Sequence, residues 1–270
     1  MKKCSIITVC YNNLGGLKKT FESVICQKWK DYEFIVVDGG STDGSAGFIA
    51  DNAGYFSWWV SEKDKGIYNA MNKGIARAGG EYCLFLNSGD YLSDPGALER
   101  IFSKGFDEDI IYADIIRTRG RKKKIMRYPD NLTLQDFYRK SAAIHHQASF
   151  IKRELFDRFG LYREDLYLNA DWHFFFKTIA LGKVSTRHIR TVISICDAYG
   201  RSSDYNLSDP RLAKDEAEKI KSLELAKGGE ANLRKADVSS EGSRLGNILR
   251  QLEWNVSVLL PLSFFIKIGK

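Results

Sequence analysis

No run of about 20 apolar residues, the length a helix needs to span a bilayer, occurs in the chain. A membrane-spanning helix is therefore not expected. The start, Met1-Lys2-Lys3, is followed by an apolar run over residues 4–10 that is short for a secretory leader. It passes into Asn12-Asn13 without a small-residue cleavage site, and so reads as a first buried strand. Cys-x-x-Cys pairs are missing too. The five cysteines are Cys4, Cys10, Cys26, Cys83 and Cys196, an odd number with several in apolar runs. A zinc site or disulfide framework is not expected from them; buried thiols in a reducing compartment are. Internal repeats and low-complexity segments are absent. So is Gly-x-Gly-x-x-Gly after the first strand, where Tyr11-Asn12-Asn13-Leu14-Gly15-Gly16 stands instead. That weighs against a dinucleotide-dependent oxidoreductase.

What remains is a chain of 270 residues, 44% hydrophobic and 13% aromatic, enough for a substantial core and unlike a disordered segment. Lys and Arg total 41 against 34 Asp and Glu, a formal charge of +7. An excess this modest suits an anionic small molecule, a membrane surface or a nucleic acid equally.

Strand and helix alternate over the first hundred residues. Strands are expected at 4–10, 33–37, 57–60 and 82–86. Helical faces come from Leu14, Leu17, Phe21, Val24 and Ile25, then Phe48 and Ile49, then Ile67, Met71, Ile75 and Ala78, with Gly79-Gly80 as a stop. Near-continuous apolar strands joined by helices imply an α/β fold, a parallel sheet covered on both faces. Ligands of such sheets bind at the strand carboxyl ends. Those ends carry Tyr11-Asn12-Asn13, Asp38-Gly39-Gly40, Ser61-Glu62 and Asn87-Ser88-Gly89-Asp90. The second part is less regular: strands at 109–116 and 124–128 around a charged turn at 117–123, strands at 148–151 and 192–196, and an amphipathic helix at 171–181. Beyond residue 204 come a charged helix (213–226), a Gly-rich polar stretch (228–242) and an apolar end (248–268).

Each polar strand end has a bland and a chemical reading. Asp38-Gly39-Gly40-Ser41-Thr42-Asp43-Gly44 serves as an ordinary strand–turn–helix, or places the Asp38 carboxylate to accept from a uracil imide or a ribose hydroxyl. Asp64 caps a helix start, whereas Lys65 beside it suits phosphate. Asp90 caps a turn, or holds one divalent cation whose remaining ligands come from a diphosphate. Asn169-Ala170-Asp171-Trp172 is a helix N-terminus with an acid in its first turn, where the dipole favours the ionised, less basic carboxylate.

In this order, the Tyr-Asn-Asn strand end, the Asp-Gly-Gly-Ser-Thr-Asp-Gly turn, Glu62-Lys63-Asp64-Lys65-Gly66-Ile67-Tyr68-Asn69-Ala70-Met71-Asn72-Lys73-Gly74 and Leu86-Asn87-Ser88-Gly89-Asp90 resemble the family-2 glycosyltransferases of bacterial polysaccharide assembly. The match is dense from about residue 5 to 92, thinner to 196 and absent beyond. It implies a GT-A fold, Rossmann-like, with a mainly parallel sheet flanked by helices over residues 1–204 and a C-terminal helical extension over 205–270. It further implies inverting transfer from a nucleoside-diphosphate sugar to a carbohydrate or lipid-linked acceptor, with Mg²⁺ or Mn²⁺. By the resemblance Asp38 reads the base, and Tyr11 and Asn13 pack the nucleoside. Asp64, Lys65, Asn87 and Ser88 contact the nucleotide sugar, and Asp90 is the metal carboxylate, since Asn87 replaces the first acid of an Asp-any-Asp element. Asp171 is the general base, which inversion requires to take the acceptor's proton. His146, in His145-His146-Gln147, and Trp172 are candidate contacts to acceptor or diphosphate.

Arg117, Arg119, Arg121, Lys122, Lys123, Lys124 and Arg127 form a basic cluster, either a solvated hairpin tip or a contact for anionic lipid or a lipid diphosphate. The apolar end, with Trp254, Leu259, Leu260, Phe264, Phe265 and Ile266 around Pro261, suits a membrane interface, the main domain or a second copy of the chain. A cytoplasmic protein is expected, and the membrane alternatives of these two segments would set it at the inner face of the membrane. Two rival readings remain at this level. One is another nucleotide-binding enzyme on a similar fold, such as a nucleotidyltransferase. The other is a non-catalytic basic module for membrane or nucleic acid, although aromatics are not interleaved with the cations as in single-strand binders, and no nucleic-acid partner is expected.

Overall fold

The computed structural model describes residues 2–139, 144–197, 215–216 and 218–220. Two units divide the chain, Met1–Lys214 and Asp215–Lys270. In the second the described residues are helical. The rest of the expected helix at 213–226, the polar stretch, the apolar end and the expected boundary at 204 lie outside the described residues.

The first unit is built on β1 (Cys4–Cys10), α1 (Leu14–Ile25), β2 (Tyr32–Asp38), α2 (Ser45–Asp51), β3 (Trp58–Ser61), α3 (Ile67–Arg77) and β4 (Tyr82–Phe85). Then follow β5 (Tyr91–Leu92), α4 (Ala97–Phe102), β6 (Ile110–Arg119), β7 (Lys122–Met126), α5 (Leu134–Arg139), β8 (Ser149–Lys152), α6 (Glu154–Phe159), α7 (Ala170–Phe175) and β9 (Thr186–Asp197). One sheet runs β3-β2-β1-β4-β8-β6-β9-β5, with β7 paired to the outer part of β6. The first four strands in that order are parallel; β8 then runs antiparallel to both β4 and β6, so β6 points the same way as β4.

The parallel half forms because its strands are apolar on both faces. Every residue of β1 and β4 is buried, as are the last five of β2. On one face Leu17, Phe21 and Val24 of α1 join Ile6, Phe34 and Val36 in the core, where Phe21 meets Phe48 edge-on at 5.3 Å. On the other face α3 lies close to β1, since a methyl added at Gly74 would fall 2.4 Å from a methyl of Ile7. The register sets Cys10 beside Asp38 and Asp38 beside Ser61, so three strands end level.

The second half departs from the expected spans for local reasons. The cations at 117–123 do not form a long turn: β6 runs to Arg119 and β7 starts at Lys122, because Gly120 at φ 58° permits a tight hairpin. β9 begins at Thr186, six residues before the apolar segment that marks it. Its polar start pairs with β6, and the register shifts around Asp114. The helix expected at 171–181 is α-helical only to Phe175 and continues as a π-helical turn over Phe176–Leu181. The short elements β5, α4, α5 and α6 carry too few residues for a periodic signal. Among the described residues no helix is long and apolar enough to cross a membrane. Cys4, Cys10, Cys83 and Cys196 are buried and Cys26 is exposed.

Candidate active site

The loops after β1, β2 and β4 are fastened to one another by side chains that the motifs supply. Asn12 at φ 47° accepts from the Thr42 N–H at 2.8 Å, and its own N–H donates to the Ser41 hydroxyl at 2.7 Å. Asp43 accepts from the Leu14 N–H at 2.7 Å and from Ser45, whose hydroxyl holds the Asp43 carboxyl below its usual range. Asn13 caps α1 through the Gly16 N–H. Its amide also donates to the Ser88 carbonyl at 2.9 Å, while the Ser88 hydroxyl donates back to the Asn13 carbonyl at 3.0 Å. Asn13 and Ser88, expected at the nucleotide, are thus committed first to each other. The buried Thr20 hydroxyl donates to the Asp90 carbonyl at 2.6 Å and fixes the 87–90 turn to α1.

Asp38 ends β2. Its side chain is fully buried and accepts from the Ser41 N–H, the Ser41 hydroxyl and the Ser61 hydroxyl, the last at 2.7 Å. A carboxylate with three donors from its own chain holds the turn. Gly39, the next residue, is buried between Asp64 and Tyr11. A methyl there would lie 2.4 Å from Oδ2 of Asp64 and 3.2 Å from the ring edge of Tyr11. Tyr11 is 59% exposed, an aromatic face at the mouth of the strand ends. Asp64 accepts from the Gly66 N–H at 2.8 Å, and Lys65 is exposed just before α3.

The second cluster comes from distant segments. A short 3₁₀ turn, His146–Ala148, leads into β8, and the β4–β8 pairing brings it to the end of β4. There His146 Nδ1 lies 2.7 Å from Asp171 Oδ2, and His146 Nε2 lies 3.3 Å from the Asn87 amide nitrogen. Gln147 donates to Asp90 Oδ2 at 3.1 Å. The Tyr68 hydroxyl of α3 donates to Asp171 Oδ1 at 3.2 Å. Asp90 and Asp171 are therefore tied to adjacent residues of one turn.

Burial raises the Asp171 pKa and lowers that of His146. Their mutual hydrogen bond and charge outweigh this, leaving Asp171 below and His146 above its ordinary value. His145 behaves oppositely: burial, then the charge of Arg117, lower it to about 4, and its Nδ1 lies 2.6 Å from the Tyr128 hydroxyl.

In α7 every residue but Asp171 is buried. Phe174 stacks on Phe156 at 4.6 Å and meets Tyr162 at 5.5 Å, and Tyr162 in turn packs on Phe85 of β4 at 5.3 Å. Trp172, expected to face a substrate, is instead 3% exposed and stacks on Phe176 at 5.3 Å. The loop before α7 is joined to α3 by Glu164, which accepts from Asn69 and Asn72 at 3.0 Å each.

Among the described residues no three His, Cys, Asp or Glu side chains converge as metal ligands. The amide oxygens of Asn87 and Gln147, whose amide nitrogens meet His146 and Asp90 respectively, are nevertheless buried without a hydrogen-bond donor. One carboxylate and two uncommitted amide oxygens suit a hard cation that keeps waters and takes its other ligands from a diphosphate. Sequence reasoning passed over Gln147 and Tyr68, though both stand inside the quoted motifs. Thr20 had no signal, being one polar residue on an apolar helix face.

These loops and this sheet are those of a GT-A glycosyltransferase. S. aureus TarS 1–349 in complex with UDP-GlcNAc superposes with a TM-score of 0.66 at 18% identity, covering 82% of this chain and 66% of that one. Mannosyltransferase PcManGT from Pyrobaculum calidifontis in complex with GDP-Man and Mn²⁺ gives 0.57 at 17% identity, covering 95% and 81%. At such identities the likeness is one of fold. The sequence goes further. The profile of glycosyl transferase family 2 matches residues 5–182. An uncharacterised glycosyltransferase of Mycobacterium tuberculosis is 34% identical over 204 residues, 74% of this chain and 76% of that one. A PGL/p-HBAD biosynthesis glycosyltransferase of Mycobacterium bovis is 30% identical over 206 residues, 74% and 78% of the two chains. The chain belongs to glycosyl transferase family 2, and its role is glycosyl transfer.

Proposed function

We propose that the protein transfers a sugar, with inversion, from a nucleoside-diphosphate sugar to a carbohydrate or lipid-linked acceptor, at the cytoplasmic face of the membrane. Residues 1–204 form the catalytic domain in this reading and 205–270 an extension that contacts the membrane or a second copy. The observation that carries it is the turn at His146-Gln147, which joins Asp171 on one side to Asp90 on the other.

Tyr11 offers its ring to the base, over the floor that Asp38 holds through Ser41 and Ser61. Asp64 meets the donor's ribose and Lys65 its diphosphate. Asn87, Asp90 and Gln147 would hold Mg²⁺ or Mn²⁺, which supplies charge neutralisation as the diphosphate leaves. Support comes from the fold neighbours, whose complexes hold UDP-GlcNAc in one and GDP-Man with Mn²⁺ in the other. Asp171, ionised through its bond to His146, accepts the proton of the acceptor hydroxyl as that oxygen attacks the anomeric carbon. The bond from Tyr68 and the 2.7 Å contact with His146 fix the carboxylate's direction.

That contact also favours a second reading, in which Asp171 orients the ring and His146 Nε2 takes the proton. Under the first reading His146→Gln keeps measurable turnover while Asp171→Asn does not; under the second both fall alike. The function itself is tested by incubating the protein with UDP- and GDP-sugars, Mn²⁺ and a panel of sugar acceptors. Release of nucleoside diphosphate with one donor is expected, and release with none, alongside no thermal stabilisation by any nucleoside diphosphate, overturns the proposal.

A further inference from the structure

The seven cations of the β6–β7 hairpin equal the chain's whole formal excess of +7, concentrated within residues 117–127. No acid interrupts them between Asp114 and Asp130, and among the described residues none of them makes an ion pair. Arg119, Arg121, Lys122, Lys123, Lys124 and Arg127 are exposed. Blunting an edge strand with a lysine is ordinary, but that purpose needs one or two charges.

Register shows where the hairpin points. Ile151 of β8 pairs with Cys83 of β4 on one side and with Ile110 of β6 on the other, so those two residues stand level. Asn87 lies four residues beyond Cys83, whereas Arg119 lies nine beyond Ile110, in the same direction. The hairpin tip therefore overreaches the strand end that carries Asn87 by five residues, about 17 Å at the rise of an extended strand. Opposite partners in an antiparallel pair share a face. The pairs Arg117 with Lys124 and Arg119 with Lys122 thus set four cations on one face, while Lys123 and the 47% exposed Ile125 lie on the other. Arg117, at the root, is near enough to the site for its charge to act on His145.

We infer that this hairpin docks on an anionic lipid membrane and holds the open edge of the catalytic cleft towards the bilayer. A planar array of headgroup phosphates fits a flat, two-stranded ribbon of cations whose one exposed large apolar side chain, Ile125, lies near its root. A compact free anion would engage two or three of these charges, not a ribbon several residues long. The inference deepens the membrane-side part of the function proposed above and rests on that reading for its purpose.

The test uses the full chain, with vesicles of phosphatidylcholine and phosphatidylglycerol in a 60:40 mixture against phosphatidylcholine alone. Wild type is expected to co-sediment with the anionic vesicles and to be released by about 0.5 M salt, where the Debye length shrinks to a few ångströms. Each cation near such a surface contributes roughly a fivefold gain in partitioning. The exposed quadruple variant R121Q/K122Q/K123Q/K124Q should therefore lose well over tenfold of the anionic-vesicle binding. Its melting temperature and its stabilisation by nucleoside diphosphate with Mn²⁺, measured without vesicles, should match wild type. Equal vesicle binding by variant and wild type overturns the inference, as does a wild type indifferent to phosphatidylglycerol. So does binding of a single-stranded oligonucleotide in preference to vesicles. Failure of the glycosyltransferase reading shows separately, as no response to any nucleotide in the vesicle-free arm.

Discussion

The two halves of the sheet build their share of the site by different means. In the parallel half, β1 to β4, the strand-end loops are locked by a mesh of short polar bonds: Asn12 to Thr42, Asp43 to Leu14, Asn13 to Ser88, Asp38 to Ser41 and Ser61. In the half that follows, a few side chains are delivered by long-range pairing and steadied by aromatic packing, with Asp171 the one outward residue of a helix wedged by Phe156, Phe174 and Tyr162. Under the proposed function, a rigid, prebuilt cradle suits the nucleotide of the donor. In the same proposal the other half supplies a base and its orienting partners, and leaves the rest of its surface to the acceptor.

Four experiments bear on this contrast. The largest effect belongs to the reacting half. Asp171→Asn is expected to lower turnover by about a thousandfold, within the range general-base catalysis supplies, and to leave donor affinity within about twofold. Steady-state kinetics with donor-binding titrations check it, and a comparable loss of affinity would mean the halves are not separable. In the cradle, Gly39→Ala displaces the Asp64 carboxylate and crowds Tyr11, so donor Kd should rise by about tenfold while kcat at saturating donor holds.

Next comes Tyr68→Phe, which deletes only the 3.2 Å bond to Asp171. Its expected cost is about fivefold in kcat, with KM for the donor unmoved and less than about 1.5 kcal/mol of stability lost. A change in KM alone would move Tyr68 into the cradle.

The smallest effect is on pH dependence. His145 falls to about 4 when folded, so the native state favours its neutral form. That contribution is complete above the unfolded value near 6.5 and is lost as pH falls from there towards 4. His146, raised in the folded protein, acts in reverse: its stabilisation is complete below about 6.5 and fades as pH rises through its folded value. Urea midpoints at pH 7, 5.5 and 4.5 should fall less steeply for His145→Gln than for wild type, and an unchanged slope contradicts the assignment.

Legibility in the sequence followed the same division. The parallel half was readable because apolar runs mark its strands, and the polar groups that matter stand immediately after them. Not legible there were the partners: Asp38 stands at a strand end, and its bonds to Ser41 and Ser61 join it to side chains 3 and 23 positions away. Beyond Leu92 the signals thin out. The start of β9 is polar, paired with β6 on one side while β5 meets only its later residues, and α4, α5 and α6 are each six residues, too short for a period to appear. Asp171 and His146 could be picked out by resemblance, but their 2.7 Å contact spans 25 positions of chain that no local pattern encodes. Trp172 was a candidate contact by resemblance alone, and helix geometry stacks it on Phe176 in the interior.

Convergence of the two halves is tested most directly with the four histidines as reporters. With Mn²⁺ and a saturating nucleoside diphosphate, paramagnetic broadening should erase the ring-proton NMR signals of His146, and Asp90→Asn should restore them. A His146 signal that stays sharp while the nucleotide is bound would place the diphosphate away from Asp90 and Asp171, and the shared cleft would not stand.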